Sequence, residues 1–220
     1  MTREELIKKV ALKMDEISSS DDVIVPVNAS DNNPLYTQIN SLLNESVNDV
    51  LMKAPIYRLQ SQIVSVSSDK IELKSIFSGD NRERYIAVAT LPEDFIRIAS
   101  ISEVSFQRPI VDLAIEGDDI DKRQHNKFLV AKSAKPVAVL GRTNAGRIIT
   151  CYSFEKGYTL KPTILYVKRY NNDSDTYAET DLDGYMTDIV SWVCAGKVFA
   201  AQGDINKGKL CDENALALMV

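Results

Sequence analysis

The chain has 220 residues, 45% of them apolar and 26% charged, which is enough for one domain or for one domain with a sizeable insertion. This composition excludes a wholly disordered chain, a collagen-like repeat and a small disulfide scaffold. The formal net charge of −5, from 26 basic and 31 acidic residues, argues against a protein whose main function is to grip nucleic-acid phosphates.

The first predicted element is a helix at the start of the chain. Thr2 and Glu5 form a capping box, because each side chain can accept a hydrogen bond from a backbone amide of the first turn. Residues 18–22, rich in serine and aspartate, predict its end, and residues 23–33 are predicted to be a polar, partly extended loop. The apolar side chains of one helical face are Leu6, Val10, Met14 and Ile17.

A second helix is predicted from Pro34 to about Ala54. Proline suits the first position of a helix, and Pro55 stops the helix because it lacks a backbone N–H. The apolar stripe that indicates this helix consists of Leu35, Ile39, Leu42, Leu43, Val47, Val50 and Leu51.

Between residues 57 and 170 the pattern changes to short alternating or β-branched runs separated by turn signals. These runs are 63–66, 70–73, 85–88, 96–101, 137–140, 147–152 and 163–167. No helix-length periodic segment alternates with them, so we predict a largely antiparallel sheet. Residues 116–124, acidic and then basic, are predicted to be either an exposed loop or a short helix that crosses between strands.

Helical periodicity returns near the C-terminus. Asp183 or Thr180 can cap a helix whose apolar residues recur until residues 203–204 break it, and residues 206–219 predict a weaker final helix. The fold class is therefore α+β. We predict a helical platform made of residues 1–56 and 179–220, with a mostly antiparallel β-rich domain, residues 57–178, inserted into it.

The sequence carries few signs of catalytic chemistry. His125 is the only histidine and lies in a charged segment, so we expect a solvated surface residue. A GxSxG elbow, a phosphate-binding glycine loop and an HExxH motif are absent, and residues 141–146 are predicted to form a hairpin. Residues 181–184 are only a fragment of a calcium loop. We therefore expect no enzymatic activity, no catalytic residue, no metal and no cofactor.

Other polar and aromatic residues allow two interpretations. Lys132, Lys135, Arg142, Arg147, Lys168 and Arg169 lie on or beside predicted strands, with Tyr152, Tyr166 and Tyr170 between them. Such a surface either binds single-stranded nucleic acid or is the wet face of a sheet, and the acidic chain favours the wet face. Trp192 either belongs to the core, which we favour, or anchors a subunit contact. The three cysteines are expected to be inert thiols.

One local pattern carries a family resemblance. Residues 91–97, Leu91-Pro92-Glu93-Asp94-Phe95-Ile96-Arg97, are followed by Arg108-Pro109. The segment resembles the LPxDFxRxxxV…xRP pattern of phage head-to-tail adaptor proteins of the tail tubular protein A type. In physical terms, Leu91 and Pro92 end a strand, Asp94 caps a tight turn, Phe95 points inward and Arg97 begins the next strand. Residues 191–204 are also similar to the terminal helix of such proteins.

The resemblance implies a structural virion protein of short-tailed phages, including the crAss-like group. Such a protein is a subunit of a ring, typically dodecameric, that binds beneath the portal and contacts adjacent tail or ring proteins. Genomic DNA passes through the channel without specific binding, and no membrane is involved. The expected location is the portal vertex of the virion, with assembly in the host cytoplasm. An acidic wall suits this role because it repels phosphates.

Interface residues are predicted in the loops and near the C-terminus. The segment 206–220 is expected to be disordered alone and to order on a neighbouring protein. Candidate interface residues are Arg123, His125, Trp192, Asn206, Lys209, Leu210, Leu216, Leu218 and Val220. Two alternatives stay open at this point: a virion-associated hydrolase that uses a carboxylate pair, and a small single-strand nucleic-acid-binding module.

Overall fold

The computed structural model describes residues 1–17, 34–77, 83–126, 129–144, 146–154, 160–171 and 182–219. Its helices are α1 (Arg3–Ile17), α2 (Pro34–Lys53), α3 (Asp119–Gln124), α4 (Gly184–Ala201) and α5 (Ile205–Met219). Its strands are β1 (Ile63–Ser65), β2 (Ile71–Phe77), β3 (Glu83–Thr90), β4 (Phe95–Ser102), β5 (Ala114–Ile115), β6 (Val137–Thr143), β7 (Gly146–Phe154) and β8 (Thr163–Lys168). The fold is α+β, as predicted.

The chain forms two compact units. A helical unit comprises residues 1–62 and 169–220, and a β unit comprises residues 63–168. The β unit is thus inserted into the helical unit, although it begins later and ends earlier than the predicted insertion, 57–178. At the start of the insertion, residues 56–58 and 60–62 form short 3₁₀ turns, Leu59 between them is buried, and the whole segment belongs to the helical unit. Some predicted features lie outside the described residues: the segments 18–33, 78–81 and 155–157, Thr180, and Val220.

In the helical unit, α4 is the central helix and contacts α1, α2 and α5. It therefore buries residues on several faces, whereas α1 and α2 each bury one stripe. The capping box at the start of α1 is confirmed, since the amide of Thr2 donates to Glu5 at 2.8 Å and the amide of Glu5 donates to the Thr2 hydroxyl at 3.2 Å. None of the helices among the described residues is long and apolar enough to cross a membrane.

Polar side chains connect the helices and the returning chain. Arg3 is 5% exposed, and its guanidinium donates to the side chains of Asn40 at 2.7 Å and Asn44 at 2.8 Å. Asn48 makes a reciprocal pair with the backbone of Tyr170: its amide donates to the Tyr170 carbonyl at 3.0 Å, and its oxygen accepts from the Tyr170 amide at 2.9 Å. These bonds satisfy buried polar groups and join α1 to α2, and α2 to the chain that leaves the β unit.

The last two helices pack closely. Asp183 caps α4 by accepting a 2.7 Å hydrogen bond from the Met186 amide, which confirms one of the two predicted caps. Gly203, at φ +90°, separates α4 from α5. A Cβ added to Gly208 would stand 3.1 Å from the Gly196 carbonyl oxygen, so the two backbones touch. The expectation that 206–220 is disordered alone is wrong for residues 206–219, because α5 packs on α4 within the single chain.

The β unit contains two sheets. The first has the order β1-β8-β4, the second the order β2-β3-β7-β6-β5, and every pairing is antiparallel except the short parallel pair of β5 and β6. The predicted hairpin at residues 141–146 is confirmed by the pairing of Thr143 with Gly146. The first and last strands of the unit are neighbours, with Ile63 opposite Val167.

The two sheets share one apolar core. Its buried members come from both sheets and from the connection after β4; they include Ala87, Phe95, Ile101, Phe106, Ile149, Cys151, Phe154, Ile164 and Tyr166. Residues 116–124 were predicted to be either an exposed loop or a short helix, and the structure shows a short helix, α3, over most of this segment. It begins because Asp118 accepts a hydrogen bond of 2.7 Å from the Asp121 amide.

Candidate interaction surfaces

The segment 91–97 forms a tight corner between β3 and β4. The turn closes through a 3.2 Å hydrogen bond from the Phe95 amide to the Pro92 carbonyl. Phe95 is 2% exposed and packs its ring against Tyr166, with the ring centroids 5.8 Å apart. The predicted strand end at Leu91 and Pro92 and the inward direction of Phe95 are thus confirmed. Leu91 is buried as well.

Asp94 has a different role from the one predicted. Its carboxylate accepts a 3.0 Å hydrogen bond from the hydroxyl of Tyr166 on β8, and the turn closes without it through the Pro92 carbonyl. Burial, with a further contribution from the bond to Asp94, raises the pKa of Tyr166 to about 12. Asp94 therefore fastens the corner to a strand that is distant in sequence.

Arg147 on β7 holds the corner from another direction. Its guanidinium donates to the Phe95 carbonyl at 2.9 Å and lies 5.2 Å from the centre of the Phe95 ring, while its own carbonyl accepts from the Leu91 amide at 2.9 Å. Arg97, on β4, is half-buried, and burial lowers the pKa of its guanidinium. The residues at 91–97 therefore stabilise the fold of the β unit.

Arg108 and Pro109, the second half of the sequence pattern, are exposed. They belong to the connection after β4, which is anchored on either side by the Ile101–Ile110 bridge and by a 3.1 Å bond from the Gln107 amide to the Ser133 carbonyl. The two halves of the pattern thus differ: residues 91–97 are structural, and Arg108 is available for contact.

Arg108 lines a cavity of about 470 Å³ that we call the basic cavity. Four exposed cationic side chains surround it, and its lining contains no carboxylate and no aromatic ring among the described residues. The lining is Arg108, Ile120, Arg123, Gln124, Leu129, Val130, Ala131, Lys132, Ala134, Lys135, Pro136 and Val137. The cavity therefore combines an apolar floor with a positive rim, and it contains Arg123, one of the predicted interface residues.

Gln124 fixes the shape of the basic cavity. Its side chain is buried; its amide group donates to the Ile120 carbonyl at 2.8 Å, and its oxygen accepts from the Ala131 amide at 2.9 Å. Gln124 thereby ties α3 to the strap of residues 129–137 that forms the opposite wall. His125, the next residue, is exposed with its Nε2 3.7 Å from an Asp121 carboxylate oxygen, which confirms the expected surface histidine.

A second cavity of about 320 Å³ is lined in part by residues 130–133 of the same strap. One of its lining residues, Ser153, has φ +96°, an uncommon conformation for a residue with a side chain. The register of β3 against β7 shifts at this point, so the strain belongs to a β-bulge. The hydroxyl oxygen of Ser153 is buried without a hydrogen-bond partner among the described residues.

In the helical unit, α5 presents an exposed apolar surface. Ile205, Leu210 and Leu216 are at least half exposed and Leu218 is 38% exposed. Asn206 and Lys209 are exposed on the same helix, as the interface prediction requires. Trp192 on α4 is half-buried beneath the Lys13 ammonium, 4.8 Å from its ring centroid, so the favoured core placement is only partly correct.

The other groups considered for chemistry are unsuited to it. Burial raises the pKa of Cys151 to about 12 and those of Cys194 and Cys211 to about 11, so all three thiols stay protonated near neutral pH. Within the described ranges, no cluster of three or more His, Cys, Asp or Glu side chains could hold a metal ion. The rings of Tyr152, Tyr166 and Tyr170 are buried and cannot stack on bases.

Comparison with known proteins gives no assignment: no protein-family model matches the chain, and no curated protein matches it at a significant level. The resemblance carried by residues 91–109 therefore stays a prediction.

Proposed function

We propose that this chain is the subunit of a head-to-tail connector ring that binds beneath the portal of a short-tailed phage and forms part of its DNA channel. The observation that supports this most is the position of the 91–97 corner. The pattern that carries the family resemblance builds a fixed turn inside a β unit, and that unit interrupts a helical platform. Motif and architecture thus occur together, as the resemblance implies.

Charge supports the proposed channel role. Residues 1–62 and 169–220 contain 10 basic and 18 acidic residues, so the helical unit carries most of the negative charge of the chain. A surface of this sign repels DNA phosphates and lets the duplex pass without sticking.

Exposed apolar side chains support assembly. α5 alone leaves four aliphatic side chains exposed, Ile205, Leu210, Leu216 and Leu218, and such side chains are available to contact a neighbouring subunit. A contact between two different surfaces of identical subunits closes into a ring when the rotation between neighbours permits it. We propose a dodecamer, with the portal and adjacent ring or tail proteins as further partners.

Negative-stain electron microscopy of the purified chain, alone and mixed with a portal protein, tests the proposal. Rings of defined symmetry, or rings that form only on the portal, are expected. A chain that stays monomeric and does not associate with the portal would contradict the proposal.

The hydrolase alternative requires a carboxyl group whose pKa is raised by burial. Glu5, Asp69 and Asp118 have shifted pKa values, and in each case hydrogen bonds to the carboxylate lower the pKa. No observation on the described residues favours this alternative, so we do not propose it. The single-strand-binding alternative lacks support because the rings of Tyr152, Tyr166 and Tyr170 are buried and cannot stack on bases.

A further inference from the structure

The charge of the chain is divided unevenly between its two units. Residues 63–168 contain 16 basic and 13 acidic residues, a net charge of +3, whereas the helical unit has 10 basic and 18 acidic residues, a net charge of −8. Two copies of the chain therefore attract each other when the β unit of one approaches the helical unit of the other.

The basic cavity is a concentrated positive feature of the β unit. Arg108, Arg123, Lys132 and Lys135 surround it, and none of them forms an ion pair with a carboxylate among the described residues. Between these cations the floor is aliphatic, with Leu129 57% exposed and Ile120 44% exposed. A complementary occupant needs carboxylates next to an aliphatic side chain.

α5 carries this combination on the helical unit. Asp212 and Leu216 are four residues apart and Glu213 and Leu216 three apart, so both carboxylates lie beside the leucine on the helix surface. All three side chains are exposed, with Leu216 at 56%. We call Asp212, Glu213 and Leu216 the α5 surface. It is preformed, because α5 is held against α4 by the Gly196–Gly208 contact.

We propose that the basic cavity of one copy of this chain receives the α5 surface of a second copy, in a head-to-tail contact that repeats around the ring; the ring itself rests on the function proposed above. Leu216 fills the aliphatic floor, and Asp212 and Glu213 pair with the cations of the rim. A nucleic-acid strand fits less well, since the described part of the lining offers no aromatic ring for stacking and an aliphatic floor contributes nothing to phosphate binding.

Charge reversal on each side tests the contact. In sedimentation velocity at low salt, the unaltered chain self-associates. Arg108→Glu with Arg123→Glu, or Asp212→Lys with Glu213→Lys, weakens this association by about tenfold or more. The chain carrying all four changes regains association because the charges are exchanged. Lys70→Glu with Lys74→Glu, at exposed positions of the same unit outside the cavity lining, is the matched control and associates normally.

Mixing the two double variants gives a sharper result. The α5 surface of the cavity variant is intact, and so is the basic cavity of the α5 variant, so one native contact forms between them. The two altered surfaces are also complementary to each other, so the mixture regains assemblies larger than a dimer, which neither double variant forms alone. Circular dichroism of each variant verifies that it is folded.

A second measurement does not depend on charge reversal. Arg123→Cys on one sample and Leu216→Cys on another form a disulfide-linked heterodimer when mixed and oxidised, because the native thiols are buried. Absence of this crosslink, an unaltered chain that stays monomeric at low salt, or equal association of all variants overturns the contact. The contact is also overturned if the unaltered chain binds a (dT)₃₀ oligonucleotide and the Arg108→Glu, Arg123→Glu variant loses this binding while its self-association is unaffected.

The outcomes also separate this contact from the proposed function. Portal-bound rings that are indifferent to both charge reversals would retain the ring function and overturn the contact. Charge-dependent association without any affinity for a portal would retain the contact and contradict the connector role.

Discussion

The hydroxyl of Tyr166 donates a 3.0 Å hydrogen bond to the carboxylate of Asp94, which lies 72 residues earlier in the chain. This bond joins the corner between β3 and β4 to β8. Strand β8 belongs to the sheet that contains β4, whereas β3 belongs to the other sheet of the β unit. The aspartate of the sequence pattern thus acts through a distant tyrosine. Its contribution can be separated from that of the turn, which closes through the backbone of Pro92 and Phe95.

Replacing Tyr166 with Phe removes this donor and keeps the packing of the ring against Phe95. We expect the free energy of unfolding at neutral pH to fall by about 1 kcal/mol, the usual net value of one hydrogen bond. Chemical denaturation followed by circular dichroism measures it. Tyr57→Phe, at a ring that is 61% exposed, is the control and leaves stability unchanged.

The same variant changes the alkaline behaviour. The pKa of Tyr166 is raised from 10.0 to about 12 in the folded chain. Between these pH values the unfolded chain has lost the phenolic proton and the folded chain keeps it, so the unfolded state binds fewer protons and stability falls as the pH rises. Tyr166→Phe removes this contribution, while the buried cysteines contribute equally to both proteins. Its stability therefore declines less steeply from pH 10 to 12; parallel curves would argue against the burial of this phenol.

Arg147→Met tests the second fastening of the corner. The substitution keeps an apolar side chain but loses the hydrogen bond to the Phe95 carbonyl and the contact with the Phe95 ring. A loss of about 1–2 kcal/mol in unfolding free energy is expected, since the bond has a charged donor at a half-exposed position. Arg142, which is exposed and directly opposite Arg147 on the neighbouring strand, provides the control. Arg142→Met is expected to be neutral, and equal effects of the two changes would refute the assigned role of Arg147.

Gly196→Ala tests the close approach of α4 and α5. A Cβ at this position would meet a Gly208 carbonyl oxygen, an Asp212 carboxylate oxygen and the Cys211 Cβ, each at 3.2 Å. Overpacking costs about 1–3 kcal/mol and outweighs the gain of about 1 kcal/mol in helix propensity. We expect a net loss of about 1 kcal/mol. Fluorescence of Trp192, the only tryptophan, reports unfolding of the helical unit.

Gly184→Ala is the matched control, because nothing lies within 4 Å of the added Cβ at the start of α4. It is expected to be neutral or slightly stabilising. Destabilisation by Gly184→Ala equal to that by Gly196→Ala would show that the cost comes from a source other than the helix contact.

Asp183→Ala removes the cap of α4. The Met186 amide then loses its 2.7 Å partner, and the helical unit is expected to lose about 1 kcal/mol of stability. Thermal unfolding followed by Trp192 fluorescence measures this. Asp188→Ala removes only a half-exposed ion pair with Lys9 and is expected to have a smaller effect. The reverse order of the two effects would contradict the capping role.

Helical periodicity and capping residues are local signals, and they located α1, α2, α4 and α5 from the sequence. The strand β5 was missed because two residues carry no periodicity, and its parallel partner β6 is distant in sequence. Asp94 was predicted to cap its own turn because its long-range bond to Tyr166 leaves no local pattern. Although α5 was predicted as a helix, the sequence analysis expected this segment to be disordered in the isolated chain. Its ordered state depends on the fit of Gly208 against α4, which leaves no local pattern.

The basic cavity lay beyond sequence reasoning for the same reason. Arg108, Arg123, Lys132 and Lys135 are spread over 28 positions, and five acidic residues lie between Arg108 and Arg123. Tertiary hydrogen bonds bring these cations around one aliphatic floor: the Gln124 side chain accepts from the Ala131 amide, and the Gln107 amide donates to the Ser133 carbonyl. Arg123 was selected from sequence, whereas its three cationic neighbours were considered only as part of a sheet surface or of the motif.

The adjacency of β1 and β8 has a consequence for how such a chain can change over time. Because Ile63 lies opposite Val167, the chain enters and leaves the β unit through one two-stranded stem. A domain attached in this way can be lengthened, shortened or exchanged between genes without altering the spacing of the helices on either side of it. A helical unit of this kind can thus stay constant while the domain inserted through the stem is replaced by one suited to a different neighbour.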